Sequence, residues 1–329
     1  MGIAARPAKR EGNPQAMEKR AVIFDTDPGQ DDAVAILTAL ASPELDVLGI
    51  CTVAGNIPLD LTTKNALKLV ELAGRTDVPV HAGCDRPLGR ALVTAEHVHG
   101  ETGLDGPDLP EPTTKPGAAH GTDFLIETVR ARDPGTVTLL ALGPLTNVAL
   151  AFAKAPDIVS RLAGLVLMGG GCFEGGNITP AAEFNVYVDP EAAAMVFRSG
   201  VKITVLSLDV TNHMRSTKQR IDAFRALGNK AGVAVAAMLS FSERFDVEKY
   251  QSEGAPLHDP CVTAFVLDPS IFEGRQINVE IETGSLLTRG MTVADYWGVT
   301  DRVKNAFWVR SGDSDRFYAL LTERIARLP

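Results

Sequence analysis

The feature that most constrains the fold is an alternation of short apolar segments with segments of helical character. Five segments are mostly apolar and are interpreted as strands: residues 21–24, 47–53, 137–142, 165–168 and 201–208. Strands that are apolar along their whole length are typical of parallel sheets covered on both faces. The sequence therefore predicts an α/β fold, and no composition shift marks a boundary between two domains.

Helices are predicted between these strands, at residues 31–41, 60–73, 145–154, 190–199 and 230–249. The helix from Pro190 has a clear beginning and end, because Asp189 is a good N-cap, Pro190 suits the first turn and Gly200 suits the end. Near the C-terminus, Phe317, Leu321 and Ile325 fall at helical spacing and predict an apolar stripe that docks on the sheet. Residues 1–20 are polar and mixed in charge, and we expect a disordered leader before a catalytic domain at 21–329.

The net charge of the chain indicates which binding partners to expect, and its cysteines indicate a cellular compartment. The chain has 329 residues and a formal net charge of −9. An acidic chain gains little from binding nucleic acid or an anionic membrane, so neither is expected as a partner. The four cysteines are scattered without a CxxC pair, which favours free thiols and a cytoplasmic location.

Polar residues follow the predicted strands at the points where ligands bind in parallel α/β folds. The densest group follows the first strand, where Asp25, Asp27, Asp31 and Asp32 fall within eight residues. Four carboxylates on one loop repel one another, and a divalent cation removes that repulsion. Since the loop offers only oxygen donors, it favours Ca²⁺ or Mg²⁺ over zinc. The alternative, a helix cap among solvated carboxylates, explains one aspartate better than four.

Several motifs, taken together, resemble one enzyme family. The segment 25–33, Asp-Thr-Asp-Pro-Gly-Gln-Asp-Asp-Ala, resembles the N-terminal signature of the inosine–uridine-preferring nucleoside hydrolases. Further resemblances lie in segments 54–56 (Ala-Gly-Asn), 142–147 (Leu-Gly-Pro-Leu-Thr-Asn), 167–170, 176–177, 182–185 (Ala-Glu-Phe-Asn) and 258–260 (His-Asp-Pro). Gln30 departs from the pattern, in which this position is often Ile or Leu. The resemblance implies a single α/β domain with a mostly parallel, open twisted sheet flanked by helices.

The resemblance also implies a calcium-dependent hydrolysis of the N-glycosidic bond of ribonucleosides to free base and ribose. Asp27, Asp32 and Asp259 would bind Ca²⁺ through their carboxylates, and Leu142 through its backbone carbonyl. Asp31 is the expected general base, which takes a proton from a metal-bound water that attacks the anomeric carbon. The expected assembly is a homodimer or homotetramer, and the expected role is nucleoside catabolism and purine and pyrimidine salvage.

The remaining expected site residues bind the nucleoside. The candidates for ribose binding are Asn56, Asn177, Glu183 and Asn185, whose amide and carboxylate groups can hydrogen-bond to sugar hydroxyls. Asn177 could equally be a turn residue, and Met168, a candidate for the sugar pocket, could equally belong to the core. His258 is the candidate general acid for the departing base. His99 is expected near the 5′ end of the sugar.

Two other functions compete with this hypothesis. A magnesium-dependent phosphatase of the haloacid dehalogenase type also places Asp-x-Asp after a first strand, but its loop calls for Thr or Val where this chain has Gly29. A calcium-dependent protein that binds nucleosides or sugars without catalysis would not need Asp31 and His258, which are both present.

Overall fold

The computed structural model describes residues 19–250 and 253–329. The predicted leader at residues 1–20 lies outside the described residues, apart from Lys19 and Arg20. Arg20 is the first residue of the first strand.

Within residues 19–250 and 253–329, eleven strands form two sheets. In chain order they are β1 (Arg20–Thr26), β2 (Leu45–Thr52), β3 (Val80–Ala82), β4 (Val137–Ala141), β5 (Leu162–Met168), β6 (Ile203–Leu206), β7 (Arg215–Ser216), β8 (Ala255–Pro256), β9 (Phe272–Ile281), β10 (Thr292–Asp295) and β11 (Ala306–Gly312). The nine-stranded sheet has the order β10-β9-β11-β6-β5-β4-β1-β2-β3, and β7 pairs with β8. The seven strands from β11 to β3 run parallel, whereas β9 is antiparallel to both of its neighbours.

Helices connect the strands. They are α1 (Gln30–Leu40), α2 (Leu59–Leu72), α3 (Glu96–His99), α4 (Gly121–Ala131), α5 (Thr146–Lys154), α6 (Phe184–Val188), α7 (Pro190–Phe197), α8 (Leu208–Thr211), α9 (Lys218–Ala226), α10 (Lys230–Tyr250), α11 (Pro260–Leu267) and α12 (Ser314–Ile325). Two short 3-10 helices lie at Pro156–Arg161 and Pro269–Ile271. No helix among the described residues is long and apolar enough to cross a membrane.

Both faces of the sheet are buried, as the continuous apolar strands predict. Along β1, Val22 and Phe24 belong to one hydrophobic cluster, whereas Ala21 and Ile23 belong to another. Successive side chains of a strand point to opposite faces, so the two clusters are the two sides of one sheet. Each side is covered by helices, and this explains why residues 21–24 of β1 are all apolar.

The predicted α/β class and the mostly parallel sheet are confirmed, with two differences in detail. The predicted strand at 201–208 ends at Leu206, and Leu208 instead begins α8, where its N–H donates to the carbonyl of Gly170 at 2.8 Å. The C-terminal helix α12 makes its main contacts with α1, α9 and α11. The apolar stripe on α12 therefore packs mostly on other helices, whereas the sequence predicted that it packs on the sheet.

Candidate active site

The carboxyl ends of β1, β2, β4 and β5 converge on one cleft. Because β1 pairs with both β2 and β4, Asp25 lies opposite Cys51 on one side and Ala141 on the other. The loops that follow these strands bring residues distant in the chain to the same edge of the sheet. The empty space of the cleft, including the open solvent at its mouth, is about 1000 Å³.

Ten of the twelve predicted site residues line this cleft: Asp31, Asn56, His99, Leu142, Met168, Asn177, Glu183, Asn185, His258 and Asp259. The other two, Asp27 and Asp32, are fully buried below it. The structure thus brings the predicted set together, although its members come from segments up to 232 residues apart, from Asp27 to Asp259.

Glycines shape the place that Asp27 occupies. Its Oδ2 accepts the backbone N–H of Asn56 at 2.7 Å, and its Oδ1 is buried without a hydrogen-bond partner among the described residues. A Cβ atom at Gly55 or at Gly143 would collide with the Asp27 carboxylate. The motifs Ala-Gly-Asn and Leu-Gly-Pro therefore need glycine at these positions, because a larger side chain would occupy the space of the Asp27 carboxylate.

A second group of carboxylates lies beside Asp27. One oxygen from each of Asp31, Asp32 and Asp259 lies within 4.8 Å of the others. Burial, together with the nearby charge of Asp31, raises the pKa of Asp32 to about 7. Burial also raises the pKa values of Asp27 and Asp259 well above the usual range. Without a cation these buried acids repel one another, so the cluster fits a positive ion.

The donor set in this region consists of oxygens. The backbone carbonyl of Leu142 follows β4 and accepts a hydrogen bond from Asn185 Nδ2 at 2.6 Å. Asp32 is fixed at the start of α1, where its Oδ2 accepts the N–H of Gly29 at 2.9 Å and its Oδ1 accepts the hydroxyl of Thr26. Carboxylate and carbonyl oxygens are the ligands that Ca²⁺ and Mg²⁺ prefer. These residues, with the unpaired Oδ1 of Asp27, fit a hard divalent cation.

The predicted ribose-binding residues surround the short helix α6. Glu183 is its N-cap, and its carboxylate accepts the backbone N–H groups of Asn185 at 2.8 Å, Gly170 at 3.0 Å and Val186 at 3.2 Å. Asn177 accepts the N–H of Phe184 through Oδ1 at 2.9 Å. These contacts give both side chains a structural role in addition to their place on the cleft wall. Burial raises the pKa of Glu183, and the three backbone donors oppose that shift.

Two of the histidines on the cleft wall, His99 and His258, were predicted as site residues. Nδ1 of His258 lies 2.7 Å from the hydroxyl of Thr211, and Nδ1 of His99 lies 2.8 Å from Oε1 of Gln30. Burial lowers the pKa of each ring, while the charge of Asp31 opposes that shift. Both imidazoles are therefore neutral near pH 7 in the absence of substrate. A neutral imidazole has one N–H donor and one acceptor nitrogen, so its tautomer decides what each ring can do.

Sequence reasoning missed residues that hold the site in place. Asp209 accepts the backbone N–H groups of residues 172–174 at 2.8–3.1 Å and the indole N–H of Trp308 at 2.9 Å. It thereby fixes the loop that leads to Asn177. Asn147 donates to Asp25 at 2.7 Å, and burial raises the pKa of Asp25 to about 7. Asn147 ends the quoted Leu-Gly-Pro-Leu-Thr-Asn motif, whereas nothing in the sequence singles out Asp209.

Apolar residues of the cleft were also missed. The wall includes Val98, Ile178 and Leu257, which no quoted motif contains. It also includes Phe184 of the motif at 182–185, which was not predicted as a site residue. Ser242 reaches the cleft from α10, and His97 reaches it from α3. A pocket with an apolar wall and a few convergent polar groups is typical of a site for a small organic ligand.

Comparison with known proteins places the chain among the relatives of one enzyme family. Residues 22–319 match the family model described as inosine-uridine preferring nucleoside hydrolase. An uncharacterized protein of Schizosaccharomyces pombe is 50% identical over 94% of this chain and 99% of its own length. The pyrimidine-specific ribonucleoside hydrolase RihA of Enterobacter sp. (strain 638) is 45% identical over 93% of this chain and 97% of its own length.

A solved structure extends the comparison to the fold. The purine-preferring ribonucleoside hydrolase from Gardnerella vaginalis superposes with a TM-score of 0.88 and 31% identity. The match covers 93% of this chain and 98% of that one. The chain therefore belongs to the inosine-uridine preferring nucleoside hydrolase family and is a nucleoside-hydrolysing enzyme.

Proposed function

We propose that the protein hydrolyses the N-glycosidic bond of ribonucleosides with the help of Ca²⁺, and that pyrimidine ribonucleosides are its preferred substrates. The observation that carries the proposal is the group of three carboxylates, Asp31, Asp32 and Asp259, beside a cleft whose wall includes His99 and His258. The 45% identical relative is named as pyrimidine-specific, and this supports the pyrimidine preference. The purine-preferring structure is only 31% identical, so its name carries less weight.

Asp27, Asp32, Asp259 and the Leu142 carbonyl are the proposed ligands of the cation. A hard divalent cation bound there would lower the pKa of a neighbouring water molecule and attract the vicinal hydroxyls of ribose. Ca²⁺ is favoured over Mg²⁺ because it accepts more oxygen ligands in less regular geometry. A fixed set of carboxylates with a carbonyl, joined by water and sugar hydroxyls, suits that preference.

The chemistry needs a proton acceptor and a place for the departing base. Asp31 lines the cleft and is the proposed acceptor of the proton from the attacking water. As the water oxygen bonds to the anomeric carbon, the bond from that carbon to the base nitrogen breaks and its electron pair leaves with the base. The base then takes up a proton, for which His258 is the proposed donor. The carboxylates around the cleft would stabilise positive charge on the sugar.

Asp27 is a second candidate for the proton acceptor. Its Oδ1 is buried without a hydrogen-bond partner among the described residues, and an unpaired carboxylate oxygen is able to accept a proton. Asp31 is preferred because it lies on the cleft wall, whereas Asp27 is fully buried below it. Substitution of each residue in turn distinguishes the two.

Asn56, Asn177, Glu183 and Asn185 are proposed to bind the ribose, with Met168 against the sugar and His99 near its 5′ end. No finding favours the phosphatase or the binding protein without catalysis, because the family match and the superposed structure both point to nucleoside hydrolases. A homodimer or homotetramer, a cytoplasmic location and a role in nucleoside salvage stay predictions from the family resemblance.

A substrate panel tests the proposal. The purified full-length chain is incubated with uridine, cytidine, inosine, adenosine and 2′-deoxyuridine, and free ribose or deoxyribose is measured. We expect the highest kcat/KM for uridine or cytidine, little turnover of deoxyuridine, loss of activity with a chelator and its return with Ca²⁺. Ribose release that a chelator leaves unchanged would refute the metal requirement. Phosphate release from nucleotides without release of base from nucleosides would favour the phosphatase.

A further inference from the structure

Gln30, the first residue of α1, is hydrogen-bonded to the segment that carries His99. Its Nε2 donates to the backbone carbonyl of His99 at 2.8 Å and to that of Asp105 at 3.3 Å. Its Oε1 lies 2.8 Å from Nδ1 of the His99 ring. Gln30 and His99 both line the cleft. One amide therefore contacts both the backbone and the ring of a residue on the cleft wall.

These contacts determine which atoms carry hydrogen. A carbonyl oxygen only accepts, so the amide nitrogen of Gln30 must face the two backbone carbonyls. Its Oε1 then faces the imidazole, and since Oε1 also only accepts, Nδ1 of His99 must carry the hydrogen. Burial lowers the pKa of His99, which keeps the ring neutral near pH 7. In a neutral ring protonated on Nδ1, the other nitrogen, Nε2, is a hydrogen-bond acceptor.

We propose that Gln30 is a positioning residue that holds His99 in the Nδ1–H tautomer, so that Nε2 accepts a hydrogen bond from a hydroxyl or N–H group of the nucleoside. The proposal rests on the proposed function, because it takes the ligand of the cleft to be a nucleoside. An apolar side chain at position 30 would give Nδ1 no acceptor. His99 could then carry its hydrogen on Nε2. Its N–H would face the hydroxyl or N–H group of the nucleoside, and the hydrogen bond that the proposal needs would not form.

Other contacts hold the same segment without touching the His99 ring. The N–H of Ala95 donates to the carbonyl of Asn56 at 2.8 Å. Asn65 donates through Nδ2 to the carbonyl of Thr102 at 2.7 Å and to that of Pro28 at 3.0 Å. Asn65 therefore joins the segment to the acidic loop much as Gln30 does, but only through backbone atoms. This difference makes Asn65→Ala a matched control for Gln30→Met.

The first measurement is the tautomer of His99 in the full-length chain, read from the ¹⁵N chemical shifts of the imidazole nitrogens. His99→Asn identifies its signals among those of the six histidines. We expect the Nδ1–H form in the wild type and in Asn65→Ala, and a shift toward Nε2–H in Gln30→Met. An Nε2–H ring in the wild type, or an unchanged tautomer in Gln30→Met, would overturn the proposal.

The second measurement is kcat/KM for uridine, 5′-deoxyuridine and 3-methyluridine. Each analogue lacks one hydrogen-bond donor of uridine, the 5′-hydroxyl in the first and the N3–H in the second. Loss of one hydrogen bond should lower kcat/KM of Gln30→Met for uridine roughly three- to tenfold, mainly through KM. The loss of kcat/KM in Gln30→Met should be smaller for the analogue that lacks the hydrogen-bond donor bound by His99. Any loss of kcat/KM in Asn65→Ala should be equal for all three substrates. An equal loss in Gln30→Met for all three substrates would refute the assigned role. A wild type inactive on uridine would refute the proposed function instead and leave the tautomer result standing.

Discussion

The hydroxyl of Thr211 lies 2.7 Å from Nδ1 of His258, so a fully buried threonine at the end of α8 contacts the ring of the proposed general acid. The contact engages Nδ1 and leaves Nε2 as the nitrogen that would meet a departing base. If the hydroxyl donates, Nε2 carries the hydrogen of the neutral ring. A neutral His258 then donates a hydrogen bond to the base through Nε2–H. Full transfer of a proton needs the imidazolium form, which the charge of Asp31 favours.

Thr211→Val should therefore lower kcat for uridine about tenfold or more, because it removes the hydroxyl and leaves a side chain of similar shape. The loss should be much smaller for p-nitrophenyl riboside, whose leaving group needs no proton. Thr211→Ser, which keeps a hydroxyl, should retain most of the activity on uridine. Steady-state kinetics of the three proteins on both substrates check this. An equal loss on both substrates would show that Thr211 supports the fold and not the protonation of the base.

Asp31→Asn and Asp27→Asn distinguish the two candidates for the proton acceptor. Removal of a general base should lower kcat by about a hundredfold to ten-thousandfold, with KM changed far less. We expect this result for Asp31→Asn, with Ca²⁺ affinity largely kept. Asp27→Asn should weaken Ca²⁺ binding, which calorimetry measures directly. If kcat is nearly normal in Asp31→Asn and lost in Asp27→Asn at saturating Ca²⁺, the proton acceptor is Asp27.

Gly143→Ala should disrupt the site, because its Cβ would collide with the Asp27 carboxylate. We expect kcat/KM to fall at least about tenfold and Ca²⁺ affinity to weaken, since a displaced ligand costs more than one hydrogen bond. Gly89→Ala is the matched control, because a Cβ there meets no atom within 4 Å. Kinetics and metal titration of both variants test the prediction. A fully active Gly143→Ala enzyme would mean that Asp27 need not stay where the structure places it.

The buried Asp25 should make the stability of the metal-free protein depend on pH. Burial raises its pKa from 3.8 to about 7, so between these values the folded state binds more protons than the unfolded state. Stability from this residue is then greatest at low pH and falls as pH rises toward 7, by on the order of 1.4 kcal/mol per pH unit.

Urea unfolding in a chelator at pH 5.5, 6.5 and 7.5 measures this slope. Asp25→Asn removes the titrating group and should make the slope shallower, whereas substitution of the exposed Asp301 should leave it unchanged. A slope that is the same in Asp25→Asn and in the wild type would show that Asp25 is ionised throughout this range.

The pattern of apolar and polar residues along the chain was enough to predict the layered fold and the edge of the sheet where the candidate site lies. Apolar strands such as Val22–Phe24 had to be buried on both faces, and this required a parallel sheet with helices on each side. Acidic and amide residues directly after those strands had to meet at one edge, since the carboxyl ends of parallel strands lie together. Twelve site residues were predicted from motif resemblance and from this reasoning, and ten of them line the cleft.

The contacts that hold those residues in place became visible in the folded structure alone. Nothing in the sequence indicates that Asp209 fixes residues 172–174, that Thr211 contacts His258 or that Gln30 contacts His99, because each contact joins segments separated by dozens of residues. The antiparallel strands β9 and β10 were likewise not predicted. Local patterns report which face of an element is buried, whereas hydrogen-bond partners, burial and the resulting pKa shifts depend on which loops the packed sheet brings together.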